Sequence, residues 1–185
     1  MPHADRTPMS DRPPLRLIPS PRAALLGPSR DASDAATVEA ILDGLPPGGR
    51  VRITGEASWL AAALEALGVD VVTDDAPTDV VAFPLTPLPD DAAPPAQRAA
   101  SALLAARAAL DVGGRVVVEA VHPASLRPYE DGPLDVGGTP TYVRTVGSWV
   151  RVLAAAGLVL RSVREPLDAH TGAPAGLVLV AEPEA

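Results

Sequence analysis

Short valine-rich runs alternate with alanine- and leucine-rich stretches along most of this chain, and glycine or proline marks nearly every boundary. Runs of four to seven β-branched residues suit buried strands, whereas alanine with leucine suits helices. Strict strand–helix alternation predicts a mainly parallel sheet covered on both faces, because each parallel crossover lays a helix on the sheet. The expected fold is therefore α/β, a doubly wound, mostly parallel Rossmann-like sheet of about six strands that closes in a C-terminal antiparallel hairpin.

The regular pattern begins at Asp31. Asp31 or Ser33 can cap a helix in which Val38, Ile41, Leu42 and Leu45 share one face, and Pro46-Pro47-Gly48-Gly49 stops it. Strands are expected at Arg50–Thr54, Val69–Thr73, Asp79–Phe83 and Arg115–Val121, the last carrying four valines. Helices are expected at Ala57–Leu67, at Ala92–Leu110 (ended by Gly113-Gly114) and at Val146–Ala156. The stretch from His122 to Thr141 reads as a loop, and Leu158–Arg164 with Gly176–Ala181 as the closing pair. Residues 1 to 30 hold seven prolines and five arginines against two aspartates, with little apolar periodicity. Such a segment reads as a disordered tail ahead of a single domain at 31–185, since it has too little apolar surface to offset its ordering entropy.

Composition removes several function classes. The chain has no cysteine, so thiolate catalysis, disulfides and cysteine-based metal sites are excluded. Its cations are all arginine, which excludes a Schiff-base or P-loop lysine. A formal charge of −8 argues against nucleic acid as a partner, and the tail's +3 leaves −11 on the rest. Three histidines without a second ligand at suitable spacing predict no metal site. No apolar run nears the ~18 residues of a membrane span, and the N-terminus has no hydrophobic signal region, so a cytoplasmic protein is expected.

Ligands of open parallel sheets bind beyond the carboxyl ends of the strands. Four such ends draw attention: Thr54-Gly55-Glu56, Thr73-Asp74-Asp75, Phe83-Pro84-Leu85 and Val121-His122-Pro123. An unperturbed imidazole changes charge near neutral pH, so His122 could act as a general base, or it could cap a strand end and bond to nearby backbone. Tyr129, Glu130, Asp131, Tyr142 and Arg144 lie on or beside the long loop and could form a polar cup over a ligand. Arg144 could instead tether that loop to a carboxylate at the sheet end, and Trp149 reads as core.

The ordered series of a glycine turn after the first strand, an acid after the second, "PTDVVAFPLTPLPD", "GGRVVVEAVHP" and "TYVRTVGSWVRVLAAAGLVLRSVREP" resembles the class I S-adenosylmethionine-dependent methyltransferases over roughly residues 35 to 183. The resemblance implies S-adenosylmethionine as cofactor. Gly55, Glu56, Asp74, Asp75 and Phe83 would face it, with His122 as catalytic base and Tyr129, Tyr142 and Arg144 near a small polar substrate. Two departures imply weak or lost cofactor binding. Only the first glycine of the family's turn survives, with Trp59 shortly after it, and between Asp75 and Asp79 there is no room for the usual helix, strand and helix. The alternative expectation is a non-catalytic member that serves as a binding or subunit module, with a protein partner at the shortened sheet edge.

Overall fold

The computed structural model describes residues 29–55, 57–85, 95–125, 131–136 and 139–184. The elements run α1 (Ser29–Leu42), β1 (Arg50–Ile53), α2 (Ser58–Ala66), β2 (Asp70–Val72), β3 (Thr78–Phe83), α3 (Pro95–Ala108), β4 (Leu110–Ala120), β5 (Gly132–Val136), β6 (Thr139–Val143), α4 (Val146–Ala155), β7 (Leu158–Arg164) and β8 (Leu177–Pro183). Six strands form the main sheet in the order β2-β1-β3-β4-β8-β7, and β5 pairs with β6 in a separate ribbon. The first four main-sheet strands are parallel, while β8 runs antiparallel to both β4 and β7. The expected doubly wound sheet with its closing hairpin is thus the fold. The tail expected at the N-terminus lies almost wholly outside the described residues.

Strand alternation builds the two sides of the core. On one side Val81, Phe83, Val116, Val118, Leu177 and Leu179 meet Leu103 of α3 and Trp149 and Leu153 of α4. On the other, Val51, Val80, Ala82, Val117, Val178 and Val180 meet Ile41 of α1 and Leu60 and Leu64 of α2. Ile41, Leu60, Leu64, Leu103 and Leu153 are wholly buried, each worth about 1.5–3 kcal/mol of removed apolar surface. Trp149 lies in the core as expected.

Two elements differ from the sequence reading. The expected loop from His122 to Thr141 contains the antiparallel pair β5–β6, with Gly132 opposite Val143 and Val136 opposite Thr139. Glycine, proline and aspartate in β5 and proline in β6 conceal the alternation that marks a hairpin. The fourth strand also starts early. Leu110 pairs with Thr78, the register then breaks, and pairing resumes with Arg115 opposite Val80. Gly113, at φ +80°, turns the extra residues outward.

The crossover from β2 to β3 is the fold's main abbreviation. Only Thr73 to Pro77 separate the two strands, and among the described residues β2 stands at the sheet edge with no strand outside it. The side chains of Arg50 and Arg52, two apart on β1 and so on one face, hold this bare segment. Arg50 donates to the Pro77 carbonyl and to both Asp74 carboxylate oxygens, and Arg52 donates to the carbonyls of Asp74 and Ala76.

Candidate functional site at the carboxyl ends of the strands

Because β1, β3 and β4 are parallel and β7 runs with β4, the residues that follow β1, β4 and β7 emerge at one end of the sheet. Gly55 follows β1 with φ +82°, a conformation that glycine adopts without strain. The chain then enters α2 through Ala57, which offers no side-chain cap to the helix. The Leu60 and Ala61 N–H groups donate to the Ala57 carbonyl, and the N–H groups ahead of them receive no bond from the Ala57 side chain. Glu56 lies outside the described residues.

His122 leaves β4 at the same end. Its side chain is 6% exposed, and each ring nitrogen has a partner. The Ala124 N–H donates to Nδ1 at 3.0 Å, and Nε2 lies 3.1 Å from Oε1 of Glu165, the residue after β7. A backbone donor on Nδ1 requires a lone pair there, so the neutral ring carries its proton on Nε2 and donates it to Glu165. Glu165 is half-exposed, at 49%. The loop that carries it is tightly folded. Leu167 bridges Pro174, and the Ala175 N–H donates to the Pro166 carbonyl. Buried Asp168 accepts from the His170 N–H and from the Thr171 N–H and hydroxyl. Those donors hold its carboxyl below the usual aspartate range.

The β5–β6 ribbon rises from this end and is fastened at its base. Oδ1 of Asp131 accepts from the Thr145 N–H at 2.7 Å and from its hydroxyl at 3.0 Å, while Thr145 caps α4. Partial burial opposes ionisation of Asp131, but hydrogen bonds from Ser148 and Thr145, with Arg151 nearby, hold its carboxyl below the ordinary range. Arg144, only 3% exposed, lies between two aromatic rings, 5.0 Å from the Tyr142 centroid and 5.2 Å from that of Trp149. Such stacking anchors the ribbon's second strand to the core.

The expected site residues divide accordingly. Gly55, His122, Tyr142 and Arg144 belong to elements that meet at this end of the sheet. Phe83 closes β3 there, but its ring is buried in the core. Tyr129 and Glu130 lie outside the described residues. Asp74 and Asp75 are not placed as the resemblance implied. The guanidinium that grips Asp74 also approaches Asp70, the first residue of β2, at 3.7 Å, so the crossover folds back toward the amino ends of the strands. Asp75 follows on the same segment. Trp59 is half-buried against the apolar cluster beneath α1 and α2 instead of standing in the turn. Sequence reasoning passed over Glu165. Its signal was positional: an acid directly after a strand that the closing hairpin makes parallel to β4. Among the described residues no group of three metal-ligating side chains assembles, and no helix is long and apolar enough to cross a membrane.

Comparison of whole structures identifies the class: the chain has the fold of the class I S-adenosylmethionine-dependent methyltransferases. It aligns with the CcbJ methyltransferase from Streptomyces caelestis at a TM-score of 0.61 and 14% identity, over 85% of this chain and 97% of the other. It is also similar to the sugar N-methyltransferase KedS8 from Streptoalloteichus (TM-score 0.57, 16% identity, 100% of this chain and 99% of the other). A third likeness is to a Burkholderia thailandensis 1,6-didemethyltoxoflavin-N1-methyltransferase with bound 1,6-didemethyltoxoflavin and S-adenosylhomocysteine (TM-score 0.57, 16% identity, 86% of this chain and 80% of the other). These likenesses are of fold. No protein-family model and no curated protein matches the sequence.

Proposed function

We propose that this protein binds S-adenosylmethionine and directs methyl transfer to a small polar molecule. The observation that carries this reading is the convergence of the positive-φ glycine turn at Gly55, just ahead of α2, and the His122–Glu165 pair at one end of a methyltransferase-type sheet. The cofactor supplies a methyl group made electrophilic by its sulfonium. The Gly55 backbone and the N–H groups that open α2 would hold it, with no Cβ at Gly55 to obstruct a close approach. Methyl transfer needs alignment more than it needs particular side chains, so few residues are obligatory. The ribbon anchored by Asp131 and Arg144 would bound the acceptor and exclude water.

Affinity is reduced by two features of this chain. The crossover that carries Asp74 is held by both Arg50 and Arg52, and the segment between β2 and β3 is too short to build an adenine-facing wall. Calorimetric titration with S-adenosylmethionine and S-adenosylhomocysteine tests the reading. The expected outcome is saturable binding near −6 kcal/mol, a dissociation constant of tens of micromolar. Gly55→Ala should abolish it, since alanine at this φ is strained and adds a Cβ to the turn. Absence of heat with either ligand would remove the methyl-transfer reading.

A further inference from the structure

We infer that Glu165, rather than His122, is the group that meets the methyl acceptor, that His122 is its positioning residue, and that the acceptor is an amine. The inference rests on the methyl-transfer reading for the reaction but on separate observations for the assignment. A base must present a lone pair to its substrate. Nδ1 of His122 receives the Ala124 N–H, and the proton on Nε2 is directed at Glu165, so the buried imidazole acts as a donor. What it donates to is a carboxylate that remains half-exposed at this end of the sheet. The fold of the 165–175 loop, fastened through Asp168 and the Leu167–Pro174 bridge, holds that carboxylate in one place.

Charge then selects the acceptor. Among the described residues, two arginines near this end turn to other partners. Arg164 reaches back to Asp43 and Glu39, and Arg144 is buried between Tyr142 and Trp149. A carboxylate on a chain of formal charge −8 attracts an ammonium ion. Once the ammonium gives its proton to Glu165, the result is a neutral amine beside a neutral carboxyl group. A deprotonated alcohol or phenol would instead bring a second negative charge toward the same acidic surface. The balance is simple. The N–H bond breaks and its proton joins a Glu165 oxygen. The freed nitrogen pair forms the bond to the methyl carbon, and the carbon–sulfur pair leaves with sulfur as a neutral thioether. Glu165 afterwards returns the proton to solvent.

The test uses the full chain, 15N-labelled, as wild type and Glu165→Gln, with ethylamine and benzylamine against ethanol and benzyl alcohol as probes. Long-range proton–nitrogen spectra should show His122 protonated on Nε2. Millimolar amine should move that resonance in the wild type but not in Glu165→Gln, and the alcohols should leave it in place. With labelled S-adenosylmethionine the amines should be methylated, and Glu165→Gln should lower kcat/KM at least about 100-fold while melting as the wild type does. A proton on Nδ1, an equal amine response in Glu165→Gln, no amine response in the wild type, or methylation confined to alcohols would each overturn the inference. A wild type that fails to bind S-adenosylmethionine yet shows the Glu165-dependent amine response would sink the methyl-transfer reading and leave the amine site standing.

Discussion

Arg50 holds Asp74 through two hydrogen bonds, 3.0 and 3.1 Å long, although the two residues stand at opposite ends of the β1–α2–β2 unit in sequence. The contact turns an acid that resembles a ribose ligand into a clasp on the shortest crossover of the fold. Arg50→Met removes the clasp but keeps the stem of the side chain. The ion pair is well exposed, at 31% and 62%, so the expected loss of stability is within about 1 kcal/mol. Affinity for S-adenosylmethionine should be unchanged, because Arg52 still holds the carbonyls of Asp74 and Ala76 and with them the course of the crossover. Tighter binding by Arg50→Met in calorimetry would show that freed Asp74 reaches the ligand.

Trp59 leads to a prediction opposite to the one its position in sequence suggests. If the indole obstructed the glycine turn, Trp59→Gly would improve cofactor binding. The ring instead packs on the cluster formed by α1, α2 and the sheet. Trp59→Gly should therefore destabilise the protein by about 2–4 kcal/mol, the lower part of the range for removing a large aromatic, with a further contribution from glycine inside a helix. Thermal melting and calorimetry on the same samples decide between packing and obstruction.

Asp131 ties the ribbon to α4, and its depressed pKa sets the sign of a pH effect. A carboxyl group that binds protons less readily when folded stabilises the protein above its unfolded pKa, near 3.9. That contribution is lost as the pH falls through its folded value. Asp131→Asn should cost about 1 kcal/mol at neutral pH, a discounted value for a part-exposed charged acceptor. The gap between the variant and the wild type should narrow below about pH 4. Denaturant melts from neutral pH to pH 3 measure this, and a gap that persists in acid would show that the link does not depend on charge.

Gly114 offers a check on the irregular start of β4. A Cβ built there would lie 3.0 Å from the carbonyl oxygens of both Asp111 and Asp79 and 3.1 Å from that of Thr78. Backbone cannot yield as a flexible side chain can, so Gly114→Ala should cost at least about 1–3 kcal/mol in chemical denaturation. A neutral effect would mean that the register break between Thr78 and Val80 is looser than the pairing indicates.

The sequence by itself determined the layers of this protein. The continuous valine run Val116-Val117-Val118, alanine-rich helices and glycine at their ends are local signals, and local signals survive without knowledge of partners. The same locality made His122 and Gly55 legible as strand-end residues. The β5–β6 ribbon was not legible, because its prolines and glycines carry no alternating apolar face, and its stability comes from Asp131, Thr145 and Arg144 outside its strands. Only the tertiary structure decided which carboxylates count. Asp74 sits where a ribose ligand is expected in sequence, yet an arginine 24 residues away draws it aside. Glu165 meets His122 across 43 residues because an antiparallel strand between them restores their common direction. Pairing of charged groups depends on distance in space, and distance in space is set by strand order, which no short window of residues contains.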